Sequence, residues 1–429
     1  MKIDTYSYSN FQSATIEKTA PVVSIFLTAD CVLDTNIHQV AVSLIYGDLL
    51  LAGAGHYDRD SFLYAINELG ASISVTENDG QITITVKTLD KNLAKTLKLL
   101  ELMITSPVFA ESELKRGIET AENALILHKD DSKALAHSFL RRALYAKTDR
   151  HFIFTPDELL PEVKTVSVED LKNLHAKFRQ AYWTVSIGGD RKSIKQSLAL
   201  VEKMKKNKPE KRFTTIETKK QLLKGNKLFL QAVKSKQNID LSIGGLLPLT
   251  LEDKELAPFT FGLAVLGKWG GFAGRLMSTV REKEGLTYGI YAKTEGLSKT
   301  ETGYWRIMTF FAPKDTLKGI TSTLREVKKI QEHGITQSEW ERFRNILKTG
   351  EVLVYDSLTS TVGFVHGALL SGMTFDEYRL YRERLYNCTR SEVNQALKKH
   401  LDTKNLIFSA AGPVDKVSKE LKVLVKNNS

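Results

Sequence analysis

Cysteine is almost missing from this chain. Cys31 and Cys388 are the only two in 429 residues, too few and too far apart for a disulfide framework, and they read as free, buried thiols. Long apolar runs are missing too. None approaches the roughly 18 residues that a membrane-spanning helix needs. The first residues, MKIDTYSYSNF, carry no apolar stretch of the kind a secretory signal requires. A cytoplasmic protein is the favoured expectation, and a periplasmic one would require a signal removed upstream. Compact catalytic signatures are equally scarce. There is no HExxH or HxxEH pair to put two imidazoles on one helical face, no GxSxG elbow, no CxxC and no GxxxxGK[ST] phosphate loop. His128 and His137 are separated by KDDSKALA, which offers no ligand pattern. Gly53-Ala54-Gly55 and the run Gly267 to Gly271 lack the strand–GxGxxG–helix plan of a dinucleotide site.

What is present describes a globular protein, with 42% hydrophobic and 26% charged residues. The length suits two domains of about 200 residues each. The net charge of +11 raises the question of nucleic acid. Much of the excess sits in KMKKNKPEK, Lys203 to Lys211, which has no interleaved aromatics on which bases could stack. It reads as a solvated linker, and no nucleic-acid partner is expected.

An internal duplication organises the rest. Trp183 to Met204, WTVSIGGDRKSIKQSLALVEKM, is a β-rich run, a glycine turn and an amphipathic helix, and Leu406 to Val425, LIFSAAGPVDKVSKELKVLV, repeats that order. Upstream of each lies a helix with a capping sequence, opened by Ser167 and by Thr389. Ala65 to Lys87 and Val280 to Phe310 both read as helix end, glycine, strand, turn, strand, and each leads into a long helix pair. The expected fold class is α+β, in two duplicated halves, each a mainly antiparallel sheet covered by helices. The expected division is 1–205, a basic linker at 206–222, and 223–429.

The stretch Leu266 to Tyr291, LGKWGGFAGRLMSTVREKEGLTYGIY, is the most informative. Arg281 and Tyr288 flank a helix-to-strand turn, from which both side chains could enter one cleft as donors to a peptide carbonyl or its oxyanion. Taken alone, the same residues also fit a solvated helix-end arginine and a half-buried strand tyrosine.

This stretch strongly resembles the second-half signature of the pitrilysin/insulinase zinc metallopeptidase family, in its mitochondrial-processing-peptidase and bacterial short-subunit branch. The matching positions are Arg275, Leu276, Arg281, Glu282, Gly285, Leu286 and Tyr288. The resemblance continues through GITQSEWERFRNILK from Gly334, YDRDSFLYAINELGASIS from Tyr57 and SPVFAESELKRGIETAENAL from Ser106, over about residues 20–425. It implies that an active relative would carry HxxEH on the helix AVSLIYGDLLLAG and a distal glutamate further on. Here Val42, Ser43, Leu44, Ile45 and Tyr46 stand at the motif, and Ala124, with Glu122 close by, at the glutamate. No metal ligand and no cofactor are therefore expected in this chain. What the resemblance implies instead is a non-catalytic subunit of a zinc metallopeptidase heterodimer. Arg281 and Tyr288 would bind the substrate carbonyl for the zinc site of a homologous partner, and a homodimer would be the other assembly. In the family, peptide adds as a strand along an edge that would here be Ser72 to Glu77; Ser74 stands where an asparagine is usual, which argues against substrate binding on this chain's own first half. The alternative is a structural or peptide-binding pseudo-peptidase with no part in hydrolysis.

Overall fold

Runs of β-branched and aromatic residues broken by glycine-bearing turns give the strands, and apolar residues at three- and four-residue spacing give the helices. The computed structural model describes residues 2–31, 36–205, 220–221, 224–267 and 273–427. The basic linker and the glycine run after Gly267 lie almost wholly outside the described residues.

The first half contains β1 (Lys2–Ser7), β2 (Phe11–Glu17), β3 (Val22–Asp30), α1 (Ile37–Leu50), the two-residue strands β4 (Gly53–Ala54) and β5 (Tyr57–Asp58), and α2 (Arg59–Glu68). There follow β6 (Ser72–Asn78), β7 (Gln81–Leu89), α3 (Leu93–Thr105), α4 (Glu111–Lys129), α5 (Ser132–Leu144), α6 (Pro156–Val163), α7 (Val168–Gln180), β8 (Trp183–Gly189) and α8 (Arg191–Lys205). The second half contains β9 (Lys227–Ala232), β10 (Ile239–Leu247), α9 (Leu256–Gly267), a π-helical segment at Met277–Lys283, β11 (Ile290–Glu295) and β12 (Gly303–Phe311). It continues with α10 (Thr316–His333), α11 (Gln337–Leu353), α12 (Leu358–Leu370), α13 (Phe375–Asn387), α14 (Arg390–His400), β13 (Ile407–Gly412) and α15 (Ser418–Asn427). Ser167 and Thr389 each close a full capping box.

The sheets bear out the α+β reading and the repeat. The first runs β1-β2-β8-β3-β7-β6 and the second β11-β12-β10-β13-β9. Without β1, the two lists correspond strand for strand when one is reversed. The pairing senses agree as well: β6/β7, β3/β7 and β3/β8 are antiparallel, as are β11/β12, β10/β12 and β10/β13, while β2/β8 and β9/β13 are parallel.

The packing adds an exchange that a linear division does not contain. One compact unit comprises residues 1–125, 156–216 and 352–370, and the other 126–155, 217–351 and 371–429. Helix α5, from the first half of the chain, thus belongs to the second unit. Its Leu140, Ala143 and Leu144 pack with Tyr304 of β12 and Ile407 of β13, and its Leu135 and Ala136 with Val233 and Ala411. Helix α12, the corresponding element of the repeat, belongs to the first unit and lies on β8, β3 and β2. Its close approach requires a glycine beneath it: a Cβ on Gly188 would collide with Val362 and stand 2.8 Å from Leu358. His366 of α12 fastens the helix to the sheet through Thr28 Oγ1, 2.8 Å from Nε2, and Ser186 Oγ, 3.0 Å from Nδ1.

Both cysteines are free and buried, as expected. No helix among the described residues is long and apolar enough to cross a membrane.

Candidate functional site

Two regions carry the expected chemistry, one in each unit. In the first, Asn36 caps α1 by accepting from the His38 amide, and the helix presents Val42, Ser43, Leu44, Ile45 and Tyr46 where the resemblance puts a metal motif. Val42, Ser43, Ile45 and Tyr46 are buried, and Ser43 turns its hydroxyl back to the Val40 carbonyl at 2.8 Å. Tyr46 donates to His175 Nδ1 at 2.9 Å, and His175 Nε2 lies 3.0 Å from the Ile104 carbonyl. A carbonyl only accepts, so Nε2 carries the proton and Nδ1 receives the phenol. Burial pushes the His175 imidazole down to about 4, which keeps it neutral. This ring was not singled out by the sequence reading. Its signal is the spacing Leu171, Leu174, His175, Phe178, which puts a histidine on the buried stripe of α7.

Nearby carboxylates are committed elsewhere. Asp48 takes both terminal nitrogens of Arg59, at 3.0 and 2.8 Å, and Arg59 Nε also reaches Glu113 at 2.5 Å. Glu122 pairs with Lys164 at 3.0 Å, and Ala124 is exposed. No group of three or more histidine, cysteine, aspartate or glutamate side chains that could hold a metal ion occurs among the described residues. The side chains present at the motif do not fit a zinc ion, which needs three such ligands and an open position. Between α1 and β6 lies only a small cavity of about 200 Å³, lined in part by Ser43, Leu44, Tyr46 and Asp48. Among the described residues, strand β6 lies at the sheet edge with β7 its one partner, and Ser74 is exposed.

The second region is the turn between the π-helical segment and β11. The Gly285 amide donates to the Arg281 carbonyl and the Leu286 amide to the Val280 carbonyl, each at 3.0 Å, and Gly285 takes φ +64° to make this closure. The chain then reverses so that the Arg281 guanidinium carbon stands 4.7 Å from the centre of the Tyr288 ring. Tyr288 is 76% exposed, more than any other large apolar or aromatic side chain among the described residues. An exposed ring under a cation is stabilised by its quadrupole, and the stacking holds the planar guanidinium beside the phenol. The two residues that the sequence singled out are thus brought together. Arg275 is not among them. Its guanidinium grips Glu339 at 2.6 and 2.7 Å and donates to the Gly334 carbonyl, which ties the helical segment to the start of α11.

Comparison with known proteins follows the same lines. Residues 165–347, which include Arg281 and Tyr288, match the family model described as the peptidase M16 inactive domain. A Helicobacter pylori protein (strain ATCC 700392 / 26695) named non-peptidase homolog YmxG is 22% identical over 383 residues, covering 87% of this chain and 84% of that protein. The fold is shared with a crystal structure of a peptidase M16 inactive domain from Pseudomonas fluorescens, at TM-score 0.84 and 19% identity over 96% of this chain and 98% of that one. It is shared as well with a structure from Helicobacter pylori described as a protease, at TM-score 0.81 and 14% identity over 95% and 99%. With its second-half motif and its two matched sheets, the chain is similar over residues 165–347 to the peptidase M16 inactive domain, is similar over most of its length to a protein named as a non-peptidase homolog, and shares its fold with an M16 inactive-domain structure.

Proposed function

We propose that this chain is the non-catalytic subunit of a zinc metallopeptidase heterodimer, in which Arg281 and Tyr288 bind and polarise the scissile carbonyl of a peptide for a homologous, zinc-bearing partner. The observation that carries this reading is an asymmetry. The α1 region spends its polar groups on its own fold, with Tyr46 on His175 and Asp48 on Arg59. The Arg281/Tyr288 pair, by contrast, is assembled by a glycine turn at positive φ and a stacking contact, and presents the Tyr288 ring to solvent. A guanidinium and a phenol side by side are two kinds of donor for one carbonyl oxygen, and such donors act most strongly as negative charge develops on it. The partner's zinc would supply the activated water. This chain's share is to hold and polarise the carbonyl.

A second reading, a structural or peptide-binding pseudo-peptidase with no role in hydrolysis, is favoured by the name of the Helicobacter relative, a non-peptidase homolog, and by the position of β6 at the sheet edge. One experiment separates them. The chain is pulled down from its native source, and peptidase activity of the recovered complex is measured with and without chelator. The Arg281→Ala/Tyr288→Phe double variant should lower kcat by about a hundredfold, the scale of losing preorganised oxyanion donors. Chelator-sensitive activity that stays within about twofold in the double variant would sink the role given to the pair. A self-associated chain with no activity would favour the second reading.

A further inference from the structure

We infer that Glu284 is a positioning residue, whose carboxylate, latched to Ser322 and Arg325 of α10, fixes where Arg281 and Tyr288 stand relative to one another. What the pair does for a peptide rests on the function proposed above, whereas the latch itself does not.

Glu284 sits in the turn between the two functional side chains, three residues after Arg281 and four before Tyr288. Its amide donates to the Thr279 carbonyl at 3.0 Å and ends the π-helical segment. Its side chain reaches sideways: one carboxylate oxygen accepts from Ser322 Oγ at 2.5 Å and the other from Arg325 Nη2. Arg325 Nη2 also donates to Ser322 Oγ at 2.7 Å, so hydroxyl, carboxylate and guanidinium close a ring of contacts. The Ser322 hydrogen bond, with the Arg325 charge behind it, holds the Glu284 carboxyl below its ordinary range.

This ring joins the end of the π-helical segment to a helix seated in the core. Helix α10 buries Ile320, Val327 and Ile330 in the core of the second unit. The turn it restrains contains Gly285 at a positive φ, with nothing within 4 Å of where a Cβ would be, so no packing holds the turn from that side. Tyr288 itself stands on a fixed base: Leu286 is buried in the core of the second unit, and Thr309 Oγ1 of β12 donates to the Gly289 carbonyl at 3.1 Å and lies 3.3 Å from Thr287 Oγ1. The latch therefore acts on the other member of the pair, by tying to α10 the end of the π-helical segment that carries Arg281. Remove it, and that end can swing on Gly285 and carry Arg281 away from the ring. Helical segments with widened turns recur at functional sites, where they re-aim one side chain, and here the segment ends on the latch residue.

The test uses amide hydrogen exchange of the full-length chain, followed peptide by peptide. In Glu284→Gln the amides of residues 284–286, which close the end of the π-helical segment, should exchange about fivefold faster, the scale of one hydrogen bond at a partly exposed site, with the helices of the second unit unchanged. Glu284→Ala should do the same. The charge-reversed double variant Glu284→Arg/Arg325→Glu should restore slower exchange, which a nonspecific loss of structure would not allow. In the complex with its partner, Glu284→Gln should lower kcat about fivefold and leave KM within about twofold, since carbonyl polarisation and not ground-state binding is disturbed. Exchange at 284–286 that does not change in either single variant overturns the latch, even if Arg281 and Tyr288 prove necessary. Activity indifferent to those two residues overturns the proposed function and leaves the exchange result standing.

Discussion

Lowering the pH from 7 to 5 should destabilise the first unit through two buried histidines, and the size of the effect can be worked from the structure. His366 is 3% exposed between Thr28 and Ser186, and His175 is 8% exposed between Tyr46 and the Ile104 carbonyl. Burial pushes His366 down to about 3 and His175 down to about 4. In the unfolded chain both titrate near the ordinary value of about 6.5. Between those values the unfolded state binds more protons than the folded one, so stability is complete above about pH 6.5 and falls as the pH drops. At pH 5 an unfolded histidine is favoured by protonation by a factor of about 30, which is about 2 kcal/mol for each ring and about 4 kcal/mol for the two. Urea unfolding at pH 7 and pH 5 measures the loss. In His366→Gln the same pH step should cost about 2 kcal/mol less than in the parent, whatever the variant's stability at pH 7, because every other titrating group cancels in the comparison. Ring resonances followed by NMR check the premise directly. A loss equal in parent and variant to within about 0.5 kcal/mol, or a His366 ring that titrates near pH 6.5, would refute the reasoning.

Two further outcomes are expected. Gly188→Ala should cost about 1–3 kcal/mol in urea unfolding, because the added methyl meets Val362 and Leu358 of the exchanged helix and α12 must shift to admit it; a neutral result would mean that the helix is loosely seated. The thiols of Cys31 and Cys388, 3% and 2% exposed, should react with a thiol reagent at least about a thousandfold more slowly in the native chain than in urea. Burial pushes the Cys388 thiol up to about 12, so raising the pH to 9 should scarcely speed its reaction.

Much of this fold was readable because its signals are local. The capping serine and threonine of α7 and α14, the glycine turns and the alternation of the hairpins are all contained in short windows, and their recurrence exposed the duplication. The Arg281/Tyr288 pair was legible for the same reason, since seven residues and one glycine turn bring the two together. What escaped depends on partners far away in the chain. Amphipathic helices such as α5 and α12 announce that one face is buried, but not against which sheet. The commitment of Tyr46 to His175 joins residues 129 apart. The widened turn that carries Arg281 has no short-window pattern, and the contacts at its two ends, Arg275 to Glu339 and Glu284 to Ser322, join residues 64 and 38 apart.

The exchanged helices carry a consequence for the order of events that produced the chain. If a single ancestral half was doubled, that half, standing alone, had a sheet with one face bare and a helix with no sheet of its own to lie on. Two copies lending each other that helix would have satisfied both needs. On this view association came before fusion, and the present polypeptide is a swapped dimer made covalent, with α5 and α12 as the loan each half still holds from the other.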